Sequence, residues 1–258
     1  MDDKIYELIK QKILELGKII IDEKDNLGIE NKNGNHNIVT KYDIMIEKEL
    51  KDYLLQMMPD AGFMGEESDA LNIANKEYVF IVDPIDGTTN FARNLKSSAL
   101  SVALLKDSEP IMGICYNPFI NELYEARKGN GAYLNGHQIY VSHNKLADGL
   151  VFCGSSPYYN ELREKSLDLQ KKLSLIASDY RRIGSAVIEI CAVASGKAEM
   201  FYELKLMPWD YAAASLILIE AGGNITTIDG QKINYFEPTS VVATNNADDY
   251  LKYINEGE

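Results

Sequence analysis

The feature that most constrains the fold is a near-continuous apolar run, Tyr78-Val79-Phe80-Ile81-Val82, that ends in two carboxylates straddling a proline, Asp83-Pro84-Ile85-Asp86. A run this short and this apolar reads as a buried strand, with the two carboxylates at its mouth. Further short apolar runs at 98–105, 110–116 and 122–125 lead into the turn-rich Lys128-to-Gly136 stretch KGNGAYLNG. Together they predict consecutive antiparallel strands. Upstream, Ile5, Leu8, Ile9, Ile13, Leu16 and Ile20 recur at helical spacing over 3–24. A second helix is expected from near Thr40, with Ile44, Leu50, Tyr53, Leu54 and Met57 as its apolar stripe and Pro59 closing it. Between the two lies ENKNGNHN (30–37), polar and aperiodic, which reads as a surface loop.

After about residue 145 the texture changes. Strand-like 150–153, 179–182, 199–203, 224–228 and 239–243 alternate with helical stretches at 160–176, 185–195 and 208–221 and a last one from 247. Alternation of this kind predicts an α/β layer. The expected organisation is therefore a meander-rich part, 1–145, packed on an alternating part, 146–258. With 258 residues, 46% of them hydrophobic, there is ample material for a sizeable core.

The net charge of −13 argues against nucleic acid or an anionic membrane as partner. No apolar run approaches the ~18 residues of a membrane-spanning helix, and the charged start MDDKIYELIK is unlike a signal peptide. A cytoplasmic location is the expectation. Cys115, Cys153 and Cys191 lie far apart without CxxC spacing, which suits reduced, packed thiols.

Several acidic residues have ordinary explanations. Asp43 stands three residues after Thr40, as in a capping box. Asp210, in PWDYAAA, falls in a first helical turn, where the helix dipole favours a carboxylate. Glu66 and Glu67, in GEES, fit a solvated turn. Asp83 and Asp86 are different, because carboxylates crowded at the mouth of a buried strand repel unless a cation lies between them. Oxygen ligands without nearby His or Cys select a hard ion, Mg²⁺ before Zn²⁺. Gly87-Thr88-Thr89 reads as a turn opening a short helix whose free N–H groups suit an anion. His36, His137 and His143 sit in polar settings and read as solvated.

GEES (65–68), DPIDGTTNF (83–91) and WDYAAASLILIEAGG (209–223) resemble the signature stretches of the inositol monophosphatase family, within the Mg²⁺-dependent, lithium-sensitive sugar phosphatases. VTKYD, ARKGNGAYLNG and RRIGSA also fit in order, so the similarity spans nearly the whole chain. The resemblance implies an α+β fold, a five-layered α/β/α/β/α sandwich, and a homodimer. It implies that Glu66, Asp83 and the carbonyl of Ile85 hold one Mg²⁺, and that Asp83, Asp86 and Asp210 hold a second. Two to three ions are implied in all, with Glu66 helping the third and Li⁺ inhibiting at the second position. It further implies that Thr88, oriented by Asp43, helps Glu66 activate water, and that Gly87 and Thr88 bind phosphate. Ser185, Ala186, Glu203 and Asp210 would then contact the alcohol, with Lys32 as a loop lysine near the metals.

The implied reaction is hydrolysis of a small phosphomonoester, inositol 1-phosphate first. Fructose 1,6-bisphosphate, histidinol phosphate, nucleotide bisphosphates and NADP⁺ are the alternatives within the superfamily. Lys205, Met207 and the Arg181-Arg182 pair depart from better-known members, and Arg182 reads as a surface or interface residue. A regulatory, protein-binding homologue is the expectation from a different class.

Overall fold

The apolar run beginning at Tyr78 opens a nine-residue strand in which every residue after Tyr78 is buried. The computed structural model describes residues 2–22, 28–31, 38–68, 70, 73–247 and 250–255. Along the chain come α1 (Asp3–Asp22), β1 (Glu30–Asn31), β2 (Ile38–Val39), α2 (Lys41–Met57), β3 (Gly62–Gly65), β4 (Tyr78–Asp86) and α3 (Thr88–Ala92). They are followed by β5 (Ala99–Lys106), β6 (Glu109–Asn117), β7 (Glu122–Arg127), β8 (Ala132–Leu134), β9 (His137–Ile139) and β10 (Leu150–Cys153). Then come α4 (Asn160–Ser174), β11 (Asp179–Arg181), α5 (Ala186–Ala194), β12 (Met200–Leu206), α6 (Pro208–Glu220), β13 (Asn224–Thr226), β14 (Thr239–Thr244) and α7 (Tyr250–Asn255).

Two larger sheets organise these elements. One has seven strands in the order β3-β4-β5-β6-β7-β8-β9, antiparallel throughout except for the parallel β3–β4 pair. The other has five, β11-β10-β12-β14-β13, with β11 and β12 parallel to β10 and β14 antiparallel to both its neighbours.

Side-chain alternation assigns the faces. Phe80 and Val82 of β4 pack with Ile9, Ile13 and Leu16 of α1 and Ile46 and Leu50 of α2. Val79 and Ile81 point the other way, into a core shared with Val187 and Ile190 of α5, Ala213 and Ile217 of α6, and Phe201 of β12. Beyond Phe201, Met200 and Tyr202 turn to the outer face and meet Leu169 and Leu173 of α4 and Tyr250 of α7. The result is a five-layered α/β/α/β/α sandwich with helices flanking two mixed sheets. Leu16 is wholly buried, and Leu16→Ala would cost about 2–5 kcal/mol by cavity formation.

The middle layer sits close on the seven-stranded sheet. A Cβ at Gly113 would overlap the Ala213 carbonyl oxygen, so glycine in β6 lets α6 approach to backbone contact. The consecutive alanines 212–214 of α6 are all buried.

One expectation needs correction. Ile44 does not belong to the buried stripe of α2: it is 53% exposed, and Tyr42, Ile46, Leu50 and Leu54 carry that face together with Asp43 and Glu47. Ahead of GEES the structure adds a strand that the sequence pattern does not mark, Gly62–Gly65, buried and paired with β4. The cysteines are free and buried. Lys32 and His36 lie outside the described residues, and His137 and His143 are exposed.

Candidate metal centre

In a regular strand, residues three apart point to opposite faces. Asp83 and Asp86 do not, because the β4–β5 register shifts between them, where Asp83 pairs with Ser101 and Asp86 with Ala99. Pro84, which has no N–H to give to a ladder, lies inside this irregularity. Carboxylate oxygens of Asp83, Asp86 and, from the first turn of α6, Asp210 consequently all fall within 4.8 Å of one another. The notional boundary near 145 is thus crossed at the site itself.

Each carboxylate is held by a different device. Asp83 Oδ1 accepts the Ile85 N–H at 2.9 Å. Asp86 Oδ2 accepts the Val187 N–H at 2.8 Å and the Ser185 hydroxyl. Asp210 Oδ2 accepts the Met207 N–H at 2.7 Å, just ahead of Pro208 at the helix start. Asp43 divides its oxygens: Oδ2 caps α2 by accepting the Thr40 N–H at 2.8 Å, and Oδ1 accepts the Thr88 hydroxyl at 3.1 Å. One residue therefore both caps α2 and accepts the Thr88 hydroxyl. Gly87 links β4 to α3 at φ +85°, a left-handed conformation that glycine adopts without strain.

Burial dominates the electrostatics. It pushes Asp83 well above the ordinary carboxylate range, and the charges of Glu66, Asp86, Asp210 and Asp43 add to the effect. Burial also raises Asp210 strongly, with Asp86 and Glu66 contributing. Asp86 is pushed up to about 7 and Asp43 to about 6, again by burial first, against the opposing hydrogen bonds they accept. Like charges gathered out of water are costly unless protons or a cation neutralise them. An all-oxygen donor set of this kind fits a hard divalent ion.

Asp83, Asp86 and Asp210 line a cavity of about 850 Å³ together with Glu66, Ile85, Gly87, Thr88 and Ala186. Ser185 is not on that wall; it is buried as the N-cap of α5, and its hydroxyl is given to Asp86. Glu203 does line the cavity, but its Oε1 accepts the Ser156 hydroxyl at 2.7 Å as well as the Ser156 N–H. Burial raises its pKa. Ser156 itself has φ +41°, so this carboxylate clamps a strained turn. The turn leads to Tyr158 and Tyr159, wall residues that sequence reasoning missed because no local pattern connects them to the metal motifs. Lys205 lies over the Tyr159 ring at 4.0 Å, and Arg182, exposed as the sequence reading expects, also stands on that wall.

A further missed residue lies on α2. Glu47, only 2% exposed, accepts the Glu67 N–H at 2.7 Å. Its position one helical turn after Asp43 was the available signal.

The sequence profile of the inositol monophosphatase family matches residues 1–257. The chain belongs to the inositol monophosphatase family. Among the relatives of this family member, the inositol-1-monophosphatase of Bacillus subtilis (strain 168) is 32% identical over 94% of this chain and 92% of its own. The Nus factor SuhB of Escherichia coli (strain K12) is 32% identical over 82% of this chain and 79% of its own. The crystal structure of the extragenic suppressor protein suhB from Bartonella henselae superposes with a TM-score of 0.92 at 29% identity, covering 99% of this chain and 100% of that one. Family membership supports a phosphatase. Among the described residues, no helix is long and apolar enough to cross a membrane.

Proposed function

We propose that this member of the inositol monophosphatase family is a Mg²⁺-dependent phosphomonoesterase acting on inositol 1-phosphate or a similar polyol monophosphate. The observation that carries the reading is the convergence on one point of Asp83 and Asp86, from the end of β4, with Asp210, from the first turn of α6, and with Thr88 and Asp43 hydrogen-bonded to each other nearby. Glu66, Asp83 and the Ile85 carbonyl would hold one ion, and Asp83, Asp86 and Asp210 another, with two or three in the working site. Bound there, Mg²⁺ lowers the pKa of water and offsets charge on the phosphoryl group.

The chain's own groups divide the remaining work. Asp43 takes the Thr88 hydroxyl proton in a hydrogen bond, leaving the Thr88 oxygen free to accept one from an incoming water. Glu66 receives the proton that this water gives up. The N–H groups of Gly87 and Thr88 orient the phosphate, while Ala186, Glu203 and Asp210 face the alcohol. Lys32, outside the described residues, is assigned to the same site on the sequence resemblance alone. Lithium would inhibit at the Asp83–Asp86–Asp210 position, where its single charge supports the leaving alkoxide less well than Mg²⁺ does. Dimerisation is proposed as a homodimer, and light scattering tests it.

A second reading, a substrate with a further anionic group, is favoured by Arg182 and Lys205 on the cavity wall. A phosphate-release panel decides between them. Inositol 1-phosphate, fructose 1,6-bisphosphate, histidinol phosphate, adenosine 3′,5′-bisphosphate and NADP⁺ would be offered with Mg²⁺ and with chelator. The proposal expects Mg²⁺-dependent release with inositol 1-phosphate preferred; release unaffected by chelator would sink it. No turnover of any phosphoester would instead favour a regulatory role like the one the SuhB relative's name suggests.

A further inference from the structure

Helix α2 carries a ladder of polar side chains at successive turns, Asp43, Glu47 and Lys51, and each reaches a motif of the candidate site. Asp43 accepts the Thr88 hydroxyl at 3.1 Å. Glu47 accepts the Glu67 N–H at 2.7 Å. Lys51 Nζ donates to Ser68 Oγ at 3.4 Å. Residues four apart share one helix face, so the three contacts follow from a single orientation of α2. Leu50 and Leu54, wholly buried, fix that orientation.

The middle contact is the least like an ordinary surface feature. Glu47 is 2% exposed, and a Cβ on Gly65 would overlap its carboxylate. Gly65 ends β3, Glu66 follows it, and the Glu67 N–H is bound on the other side. The Glu47 carboxylate therefore lies along the backbone on both sides of Glu66. A glycine at 65 and a carboxylate at 47 are a matched pair: the first leaves the space that the second fills. Helix α2 thus joins the turn carrying Glu66 to the start of α3 at Thr88.

We propose that Glu47 is a positioning residue for the metal centre, holding the Gly65–Glu67 turn so that the Glu66 carboxylate meets its ion. This rests on the reading of Glu66 as a metal ligand. Partners behind a metal ligand typically change metal affinity or activity by about 10–100-fold when removed. The role depends on reach and on an acceptor oxygen, and not on the charge of Glu47. Glu47→Gln keeps both features. Glu47→Asp keeps the charge and withdraws the oxygen by one methylene, and Glu47→Ala removes the acceptor.

The test is Mn²⁺ titration followed by electron paramagnetic resonance, alongside Mg²⁺ dependence of phosphate release and hydrogen exchange of the Glu67 amide. Glu47→Asp and Glu47→Ala should each weaken metal binding about tenfold or more and raise the Mg²⁺ needed for half-maximal rate in parallel. KM for substrate at saturating Mg²⁺ should move much less, and the Glu67 amide should exchange faster. Glu47→Gln should bind Mn²⁺ within about threefold of the unaltered protein, on the same scale. If Glu47→Ala fails to fold, the Asp and Gln pair still decides. Glu47→Asp indistinguishable from the unaltered protein in Mn²⁺ binding and in Glu67 exchange overturns the proposal, as does a Gln variant as weak as the Asp one. An unaltered protein that neither binds Mn²⁺ nor releases phosphate would instead overturn the metal-phosphatase reading beneath it.

Discussion

Two sets of buried carboxylates in this molecule look alike by burial and differ in company. Glu199, 4% exposed, accepts the Ser142 hydroxyl at 2.8 Å, the Asn144 amide at 3.2 Å and the Leu150 N–H at 2.5 Å. Glu125, 6% exposed, is paired with Lys10 at 2.8 Å and accepts the Tyr6 hydroxyl. Donors gather round both, as burial of a charge demands. Asp83 is 1% exposed, and the residues that most affect it are other carboxylates. Burial therefore separates nothing here, and the sign of the neighbours does. A fold stabilised for its own sake would surround Asp83 as it surrounds Glu199.

The sharpest way to break this contrast is Asp83→Asn. Phosphate release should fall by at least ~10³-fold, the scale on which a preorganised electrostatic contact acts. The metal-free protein should nonetheless stay folded and melt at a higher temperature, because one of the crowded charges has gone. Calorimetry should find Mg²⁺ binding lost at both positions; retained binding at both would contradict a bridging aspartate. Next in size is Thr88→Ala, expected to lower kcat by ~10²-fold or more with little change in KM, as for loss of a group acting on the attacking water. A matching loss of Mn²⁺ affinity would make Thr88 a ligand-positioning group instead.

A pH titration of stability without metal tests the same contrast. The folded-state values of Asp43 (about 6) and Asp86 (about 7) lie above the ordinary 3.8. Between about pH 4 and pH 7 the folded chain thus binds more protons than the unfolded one, and its stability falls as pH rises through that window. Saturating Mg²⁺ competes with those protons and should reverse the slope. Melting temperatures that climb with pH in chelator, in the unaltered protein and in Asp83→Asn alike, would show that these carboxylates do not govern the window. The smallest effect belongs to the other set: Glu199→Gln should cost about 1–3 kcal/mol in chemical denaturation and leave kcat unchanged.

How much of this was legible in sequence depended on the range of the interaction. The strand at Tyr78–Val82 announced itself by continuous apolarity, and the antiparallel meander after it by its turn residues. The pairing of Asp83 with Asp86 did not follow from periodicity, which puts them on opposite faces; only the irregularity around Pro84 brings them together. Gly62–Gly65 escaped because four residues bounded by glycines carry too little pattern to mark a strand. Ile44 was drawn into the α2 stripe by its hydrophobicity alone, although Asp43 and Glu47 occupy the buried side. Ser185 and Glu203 illustrate a further limit, since a motif names residues and leaves open which atoms their oxygens already serve. The Tyr158–Tyr159 wall depends on a contact between residues 156 and 203, beyond any local reading.

The close seating of α6 on the sheet at Gly113 has a consequence for how the centre is dimensioned. Asp210 rides on the helix and Asp83 on the sheet, so their separation is the thickness of a spacer made from glycine and alanine. A methyl group added at 113 would act as a shim, lifting one jaw of a vice away from the other without touching either gripping face. Gauge, in this protein, is set in the interior and read out at the mouth.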